Sequence, residues 1–523
     1  MQTSNPSLPW SQVIRSAPRH HRPLGLDTKA DVVIVGAGIA GMTTALLLAR
    51  NHVDVIVLDD GPVGGGETER TTAHLSSALD EGFVELEKIH GLEGSKLAWQ
   101  SHSTAIDVIE GIVEEEGIDC SFARLDGWLF CGVGDTTQVL QDELEAARRA
   151  GFVDVEMHDR VPELMWDPGA VLRFPRQGQL HPLKYLQGLS EAAIALGVRI
   201  HTATHVAHIE GGAHPKVTTT VGRVVHARAV VVATNTPVND RFVIHTKQQA
   251  WRSYVVALRL DDAVPAALLW DTSDPYHYVR TATGIGPGGS DLLIVGGEDH
   301  RTGQANDADD RWARLHHWAW ERFPVGNVVH RWSGQIMEPV DGLAFIGKNP
   351  GGPDNVYVAT GDSGHGMTHG TIAGMILSDL VRGIDHPWAA LYEPSRKPSR
   401  LLGEYARENL EAVSHYAQYV LPADVDDADD IARGQGAIVR EGLALHAVSC
   451  NEHGVVRKCS AVCPHLGGIV TYNAAERSWD CPVHGSRFDL EGVVVNGPAN
   501  TNLKQIDEPI PEGVVIDESL KLA

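Results

Sequence analysis

The sequence predicts an α/β domain interleaved with an α+β layer, followed by a small all-β domain at its C-terminal end. Three observations predict it. A continuous apolar run, Asp31-Val-Val-Ile-Val35, passes through Gly36-Ala-Gly-Ile-Ala-Gly41 into the helix-like stretch 42–50 and a second apolar run at 53–58. Further β-rich runs, Ala229-Val-Val-Val-Ala233 and Asn355-Val-Tyr-Val-Ala-Thr360, lie far along the chain and end in loops that can converge with the first. Beyond residue 430, short β-like runs separated by Gly and Asn turns replace the helical patterns.

The first unit reads strand–turn–helix–strand, a Rossmann-like start. Gly36, Gly38 and Gly41 permit a tight turn, close approach to a pyrophosphate and a helix N-terminus aimed at it, with Ile39 and Ala40 at the tip. Asp59 ends the second strand eighteen residues past Gly41, where an acid can hold a ribose hydroxyl. Either NAD or FAD satisfies this pattern. Acidic helical sequence at 84–116 and alternating segments at 251–260 and 292–296 suit a second, substrate-side layer.

The expected organisation is an arm at 1–26 and an oxidoreductase domain at 27–395. Within it the cofactor parts fall at about 27–95, 181–240 and 325–385, and the substrate parts at 96–180 and 241–324. An amphipathic stretch and the acidic run Asp424-Val-Asp-Asp-Ala-Asp-Asp430 make 396–430 a linker, and 431–523 the all-β domain. At 523 residues, more than one core is expected. The net charge of −25 argues against nucleic acid or an anionic membrane as partner. With no apolar span and no signal-like N-terminus, the cytoplasm is the expected compartment. Six cysteines are too few for a disulfide framework in a chain of this length.

In the C-terminal domain, Cys463-Pro-His465 and Cys481-Pro-Val-His484 form two ligand pairs with fifteen residues between them. Paired S and N ligands suit a [2Fe–2S] cluster with two His on one iron; a zinc site using Cys459, Cys463, Cys481 and His484 is the rival. With the flanks Leu466-Gly-Gly468, Gly485-Ser-Arg-Phe488 and Gly497-Pro-Ala499, the region resembles the Rieske family. That resemblance implies metal ligation by Cys463, His465, Cys481 and His484. It also implies no cluster-loop disulfide, since Gly468 and Val483 occupy the Cys positions. Ser486 matches the family's hydroxyl donor, but Phe488 replaces its tyrosine donor. Fewer donors place the expected potential in the lower or middle part of the about −150 to +300 mV Rieske range.

The segments Gly64-Gly-Gly-Glu-Thr-Glu-Arg70-Thr-Thr-Ala-His74, Thr234-Asn-Thr-Pro237, Asp341-Gly-Leu-Ala-Phe-Ile-Gly347 and Gly361-Asp-Ser-Gly-His-Gly-Met-Thr368 resemble the D-amino-acid-oxidase-like flavoproteins, the group with glycine and sarcosine oxidases. The resemblance implies FAD, held noncovalently, and adds Thr68, Arg70, Thr71, Thr72, His74, Val206, Thr234, Gly334, Gly361, Ser363, Gly364, His365, Gly366, Met367 and Thr368 to the cofactor contacts. The family's carboxylate-clamping Arg has Ile336 at its place, so a simple α-amino acid fits poorly. Glu338 offers a negative charge instead, and His181, Tyr254 and the Tyr276-His-Tyr-Val-Arg280 strand are further candidates for the substrate cavity. With no second GxGxxG after a strand, a separate nicotinamide domain is not expected. The reading is a dehydrogenase acting on a secondary or N-alkylated amine, with electrons passing from flavin to cluster and on to a redox partner protein. An O2-using oxidase and an electron-transfer module between protein partners are the alternatives.

Overall fold

A computed structural model of the chain describes residues 8–13, 19–239, 243–397 and 401–506. Much of the expected arm, part of the linker and residues 507–523 of the C-terminal domain lie outside them. Val32–Val35 forms a wholly buried strand, flanked in parallel by Val55–Leu58 and Ala229–Val232. The six-stranded sheet runs Phe345–Lys348, Val356–Thr360, Ala229–Val232, Val32–Val35, Val55–Leu58, Arg199–His201. All neighbours are parallel except the first pair. Strands buried on both faces explain why these segments read as unbroken apolar runs rather than alternating ones. The helices Ile39–Arg50 and Gly366–Val381 pack together on one side, where Gly374 admits Thr43 because a Cβ there would stand 2.5 Å from Thr43 Cγ2.

The second layer is a nine-stranded sheet built around Gln248–Leu260, which pairs antiparallel with both Leu292–Arg301 and Val325–Pro339. The segment 325–339, grouped with the cofactor parts by sequence, is thus the edge strand of this sheet, and its residues Gly334, Gln335 and Ile336 line a cavity. Inside the described part of the arm, Trp10 is buried: its indole N–H donates to Thr71 O at 2.8 Å, and its ring meets His181 edge-on at 5.0 Å.

The C-terminal domain is all-β in its described core, with sheets of three strands (Gly436–Glu441, Ala444–Cys450, Val456–Ser460) and four (Thr471–Asn473, Ser478–Asp480, Arg487–Phe488, Val494–Asn496). The helix Leu402–Ser414 precedes it, in the stretch expected to be an amphipathic linker.

Candidate functional site

A cavity of about 1030 Å³ runs from the dinucleotide-type turn to the inner face of the nine-stranded sheet. Gly36 at φ +107° brings the turn so close to the neighbouring strand that a Cβ would lie 2.3 Å from Ala233 O; at Gly41 it would lie 2.0 Å from Gly36 O. No other residue type fits either position. Asp59 Oδ2 accepts from Ala37 N at 2.6 Å and Oδ1 from Gly61 N at 2.8 Å. Burial nevertheless pushes its carboxyl up to about 6.

Of the residues expected around a dinucleotide, Gly36, Gly38, Ile39, Ala40, Asp59, Thr68, Arg70, Thr71, Thr72, His74, Val206, Thr234, Gly334, Gly364, His365, Gly366 and Met367 line this cavity. Gly41, Gly361, Ser363 and Thr368 do not: Gly41 and Gly361 shape the backbone behind it, and Thr368 turns inward to His102 Nδ1 at 2.9 Å. His74 has both ring nitrogens engaged, Nδ1 with Thr72 Oγ1 at 3.0 Å and Nε2 with Val279 O at 3.2 Å.

Of the proposed substrate-side residues, Tyr276 and Tyr278 line the cavity, whereas His181, Tyr254 and Glu338 do not. Tyr254 points to the opposite face of its strand, where its hydroxyl meets His300 Nε2 at 2.9 Å and its ring meets Trp312; the period of two gives the cavity to Ser253 and Val255 instead. His181 caps a helix, accepting from Lys184 N at 3.2 Å. Glu338 turns to Ser363, whose hydroxyl also reaches Glu81. Burial, then the Glu81 carboxylate beside it, drives its pKa well above the ordinary range.

The charge at this end comes from Asp80, for which sequence carried no signal. Its carboxylate accepts from Tyr276 OH at 3.1 Å and lies 3.2 Å from His365 Nε2. Burial alone raises its pKa, but His365 and the tyrosine hydroxyl outweigh that and hold it below the ordinary value. Tyr278, bonded to Ser253 Oγ at 2.8 Å, and Trp270 complete the wall. Gly364 is required here, because a Cβ would stand 2.6 Å from Asp80 Oδ2.

In the C-terminal domain two like turns face each other. Cys463 N donates to Gly468 O and Gly467 N to Cys463 O at 2.8 and 2.9 Å; Cys481 N donates to Ser486 O and Gly485 N to Cys481 O at the same two distances. The amides of His465 and Leu466 serve the Cys463 sulfur, and those of Val483 and His484 serve Cys481. The imidazoles of His465 and His484 are 5.1 Å apart. Burial, then His245, lowers His484 to about 3, the neutral form that binds metal. Amide donors at both sulfurs and two facing imidazoles fit a thiolate- and imidazole-bound cluster. All six cysteines are free, and a Cβ on Gly468 would come within 2.5 Å of Val483, so the two positions that carry a disulfide in other Rieske proteins do face each other. Cys459 of the zinc alternative packs into the core, with its Sγ 3.7 Å from Ala447 O.

The two domains meet at this centre. His245 meets both imidazoles, edge-on to His465 at 4.8 Å and tilted against His484 at 5.7 Å. Gln335, in the cavity wall, donates to Gly485 O at 3.0 Å, one residue past His484.

A two-layer flavoprotein fold whose cavity abuts a Rieske-type centre defines the class. The chain belongs to the DAO family of FAD-dependent oxidoreductases, whose model matches residues 31–380, and it carries a Rieske [2Fe-2S] domain at 422–507. It therefore binds FAD and a [2Fe-2S] cluster. A Bacillus subtilis protein named for a Rieske 2Fe-2S centre, YhfW, is 31% identical over 92% of this chain and 94% of its own length. The Escherichia coli gamma-glutamylputrescine oxidoreductase is 25% identical, over 68% of this chain and 84% of that protein. Glycine oxidase from Geobacillus kaustophilus shares the fold, with a TM-score of 0.58 at 20% identity over 71% of this chain and 99% of that one. Among the described residues no helix is long and apolar enough to cross a membrane.

Proposed function

We propose that this oxidoreductase oxidises the C–N bond of an amine, a secondary or N-alkylated one, and passes the electrons to its own Rieske centre. The observation that carries this reading is Gln335, which stands in the cavity wall and donates to the loop that carries His484. One side chain thus links the cavity wall to the cluster-bearing loop. In this reading FAD occupies the cavity along Gly36–Gly41, Asp59 and 68–74, and Cys463, His465, Cys481 and His484 hold the cluster. When bound, the flavin accepts a hydride and the cluster takes electrons singly.

The chain's own residues supply recognition. Asp80, kept charged beside His365, attracts and orients a cationic nitrogen, and Tyr276 and Tyr278 offer hydroxyls around it. A carboxylate with a depressed pKa is a better anchor than base. Ile336 in the wall provides no guanidinium for a substrate carboxylate. The Escherichia coli relative, named for gamma-glutamylputrescine, supports an amine substrate without bearing on whether that amine is secondary.

Anaerobic titration of the holoenzyme with candidate amines tests the reading. Flavin bleaching followed by the electron paramagnetic resonance signal of a reduced cluster is expected. Asp80→Asn should raise KM by about tenfold or more, the scale of one lost charged contact. Bleaching by no amine, or a cluster that stays oxidised after the flavin is reduced, overturns it.

A further inference from the structure

We propose that residues 493–502 of the Rieske domain form one wall of the FAD site, so that cofactor binding and domain docking are a single linked equilibrium. The inference rests on the reading that FAD fills the large cavity. That cavity is not closed by the flavoprotein fold alone: beside Asp59, Thr204 and Val206 its lining includes Val494, Asn496, Gly497 and Asn500.

The segment is tied down on both sides. Toward the flavoprotein domain, Asn496 Nδ2 donates to Glu67 Oε1 at 2.8 Å, one residue before the cavity-lining Thr68. Asn500 Nδ2 donates to Val206 O at 3.0 Å and Ala207 O at 3.3 Å, and its own carbonyl meets His205 Nε2 at 3.2 Å. His205 in turn pairs with Asp60 at 3.0 Å, beside Asp59. Toward its own domain, Ala499 N donates to Ser486 Oγ at 3.0 Å, and Val494 N to Asn502 Oδ1 at 3.1 Å. The wall of the cofactor cavity is therefore fixed to the same loop as the cluster ligands Cys481 and His484.

A ligand that binds only the closed form stabilises that form, and the fraction closed sets its apparent affinity. FAD then adds to the fastening between the domains along the cavity, and its loss loosens the segment 493–502 there.

The test uses the full chain. Apoprotein that retains its cluster is titrated with FAD, binding is read by flavin fluorescence quenching, and Asn496→Ala/Asn500→Ala is compared with the wild type. An FAD Kd weaker by about tenfold or more, with the cluster spectrum unchanged, is expected. Hydrogen exchange at 493–502 in the wild type should slow on adding FAD, a readout that does not depend on the variant folding. A Kd within about twofold of wild type, or no change in exchange at 493–502 on saturation, overturns the proposal. Wild-type apoprotein that takes up no FAD overturns the reading of the cavity itself.

Discussion

Two of the contacts by which the Rieske domain meets the flavoprotein domain are of opposite character. On one side lies a buried ionic clamp: Glu476, from the turn after Thr471–Asn473, is bonded to Arg252 at 2.6 Å, to Arg487 and to Ser333, with Arg70 at 3.9 Å. Arg487 also pairs with Asp480 at 3.0 Å. On the other lies a seam of side-chain amides, in which Gln335, Asn496 and Asn500 bond mainly to carbonyls along the cavity rim. The clamp concentrates its energy in a few charges with nowhere else to go, since Arg252 is fully buried. The seam spreads modest bonds over the residues that face cofactor and cluster. Holding and function are thus divided between them.

Breaking the clamp should have the largest effect. Glu476→Ala strands Arg252 without a counter-charge, a loss of about 3–5 kcal/mol typical of a broken buried pair. Chemical denaturation should show it as a separate, earlier transition, and proteolysis in the 396–430 stretch should accelerate. A single unshifted transition would remove the distinction between clamp and seam.

Acid should sharpen the distinction. Burial raises the Glu476 pKa, but Arg252, Arg487 and Arg70 together hold it far below its ordinary 4.5. A folded-state pKa below the unfolded one means stabilisation that is complete above 4.5 and is lost as pH falls through that value toward the folded one. Wild type should therefore lose its advantage over Glu476→Gln as pH drops below about 4.5, a difference readable by denaturation at pH 7 and pH 3.5. The seam's amides do not titrate themselves, so any dependence there enters only through Glu67 and the His205–Asp60 pair that they touch.

Breaking the seam at one point should cost least. Gln335→Leu removes one neutral hydrogen bond, about 1 kcal/mol, and should leave unfolding nearly unchanged. Its effect belongs to kinetics: in stopped-flow, cluster reduction after flavin reduction should slow. A large stability loss with unaltered transfer would reverse the roles assigned here.

What the sequence revealed follows the same division. The glycines at 36, 38 and 41 and the paired Cys and His ligands were legible because backbone approach and metal spacing leave few residue choices. Tyr254 misled because both faces of its strand are buried, so alternation separates it from Ser253 and Val255 without saying which face borders a cavity. Glu338 carried a plausible charge, yet its meaning depends on Glu81, 257 positions away in the chain (338 minus 81). Asp80 and Glu476 sit in turns with no motif around them, and only the meeting of distant strands gives them a role.

One contact reaches beyond this molecule. At Gly485, φ +78°, a Cβ would lie 2.2 Å from the Cβ of Ala250. The two domains therefore share a single volume constraint across 235 residues of chain (485 minus 250). A bulkier residue at either position needs a compensating shift elsewhere in the interface, so the two modules are coupled by volume as well as by charge.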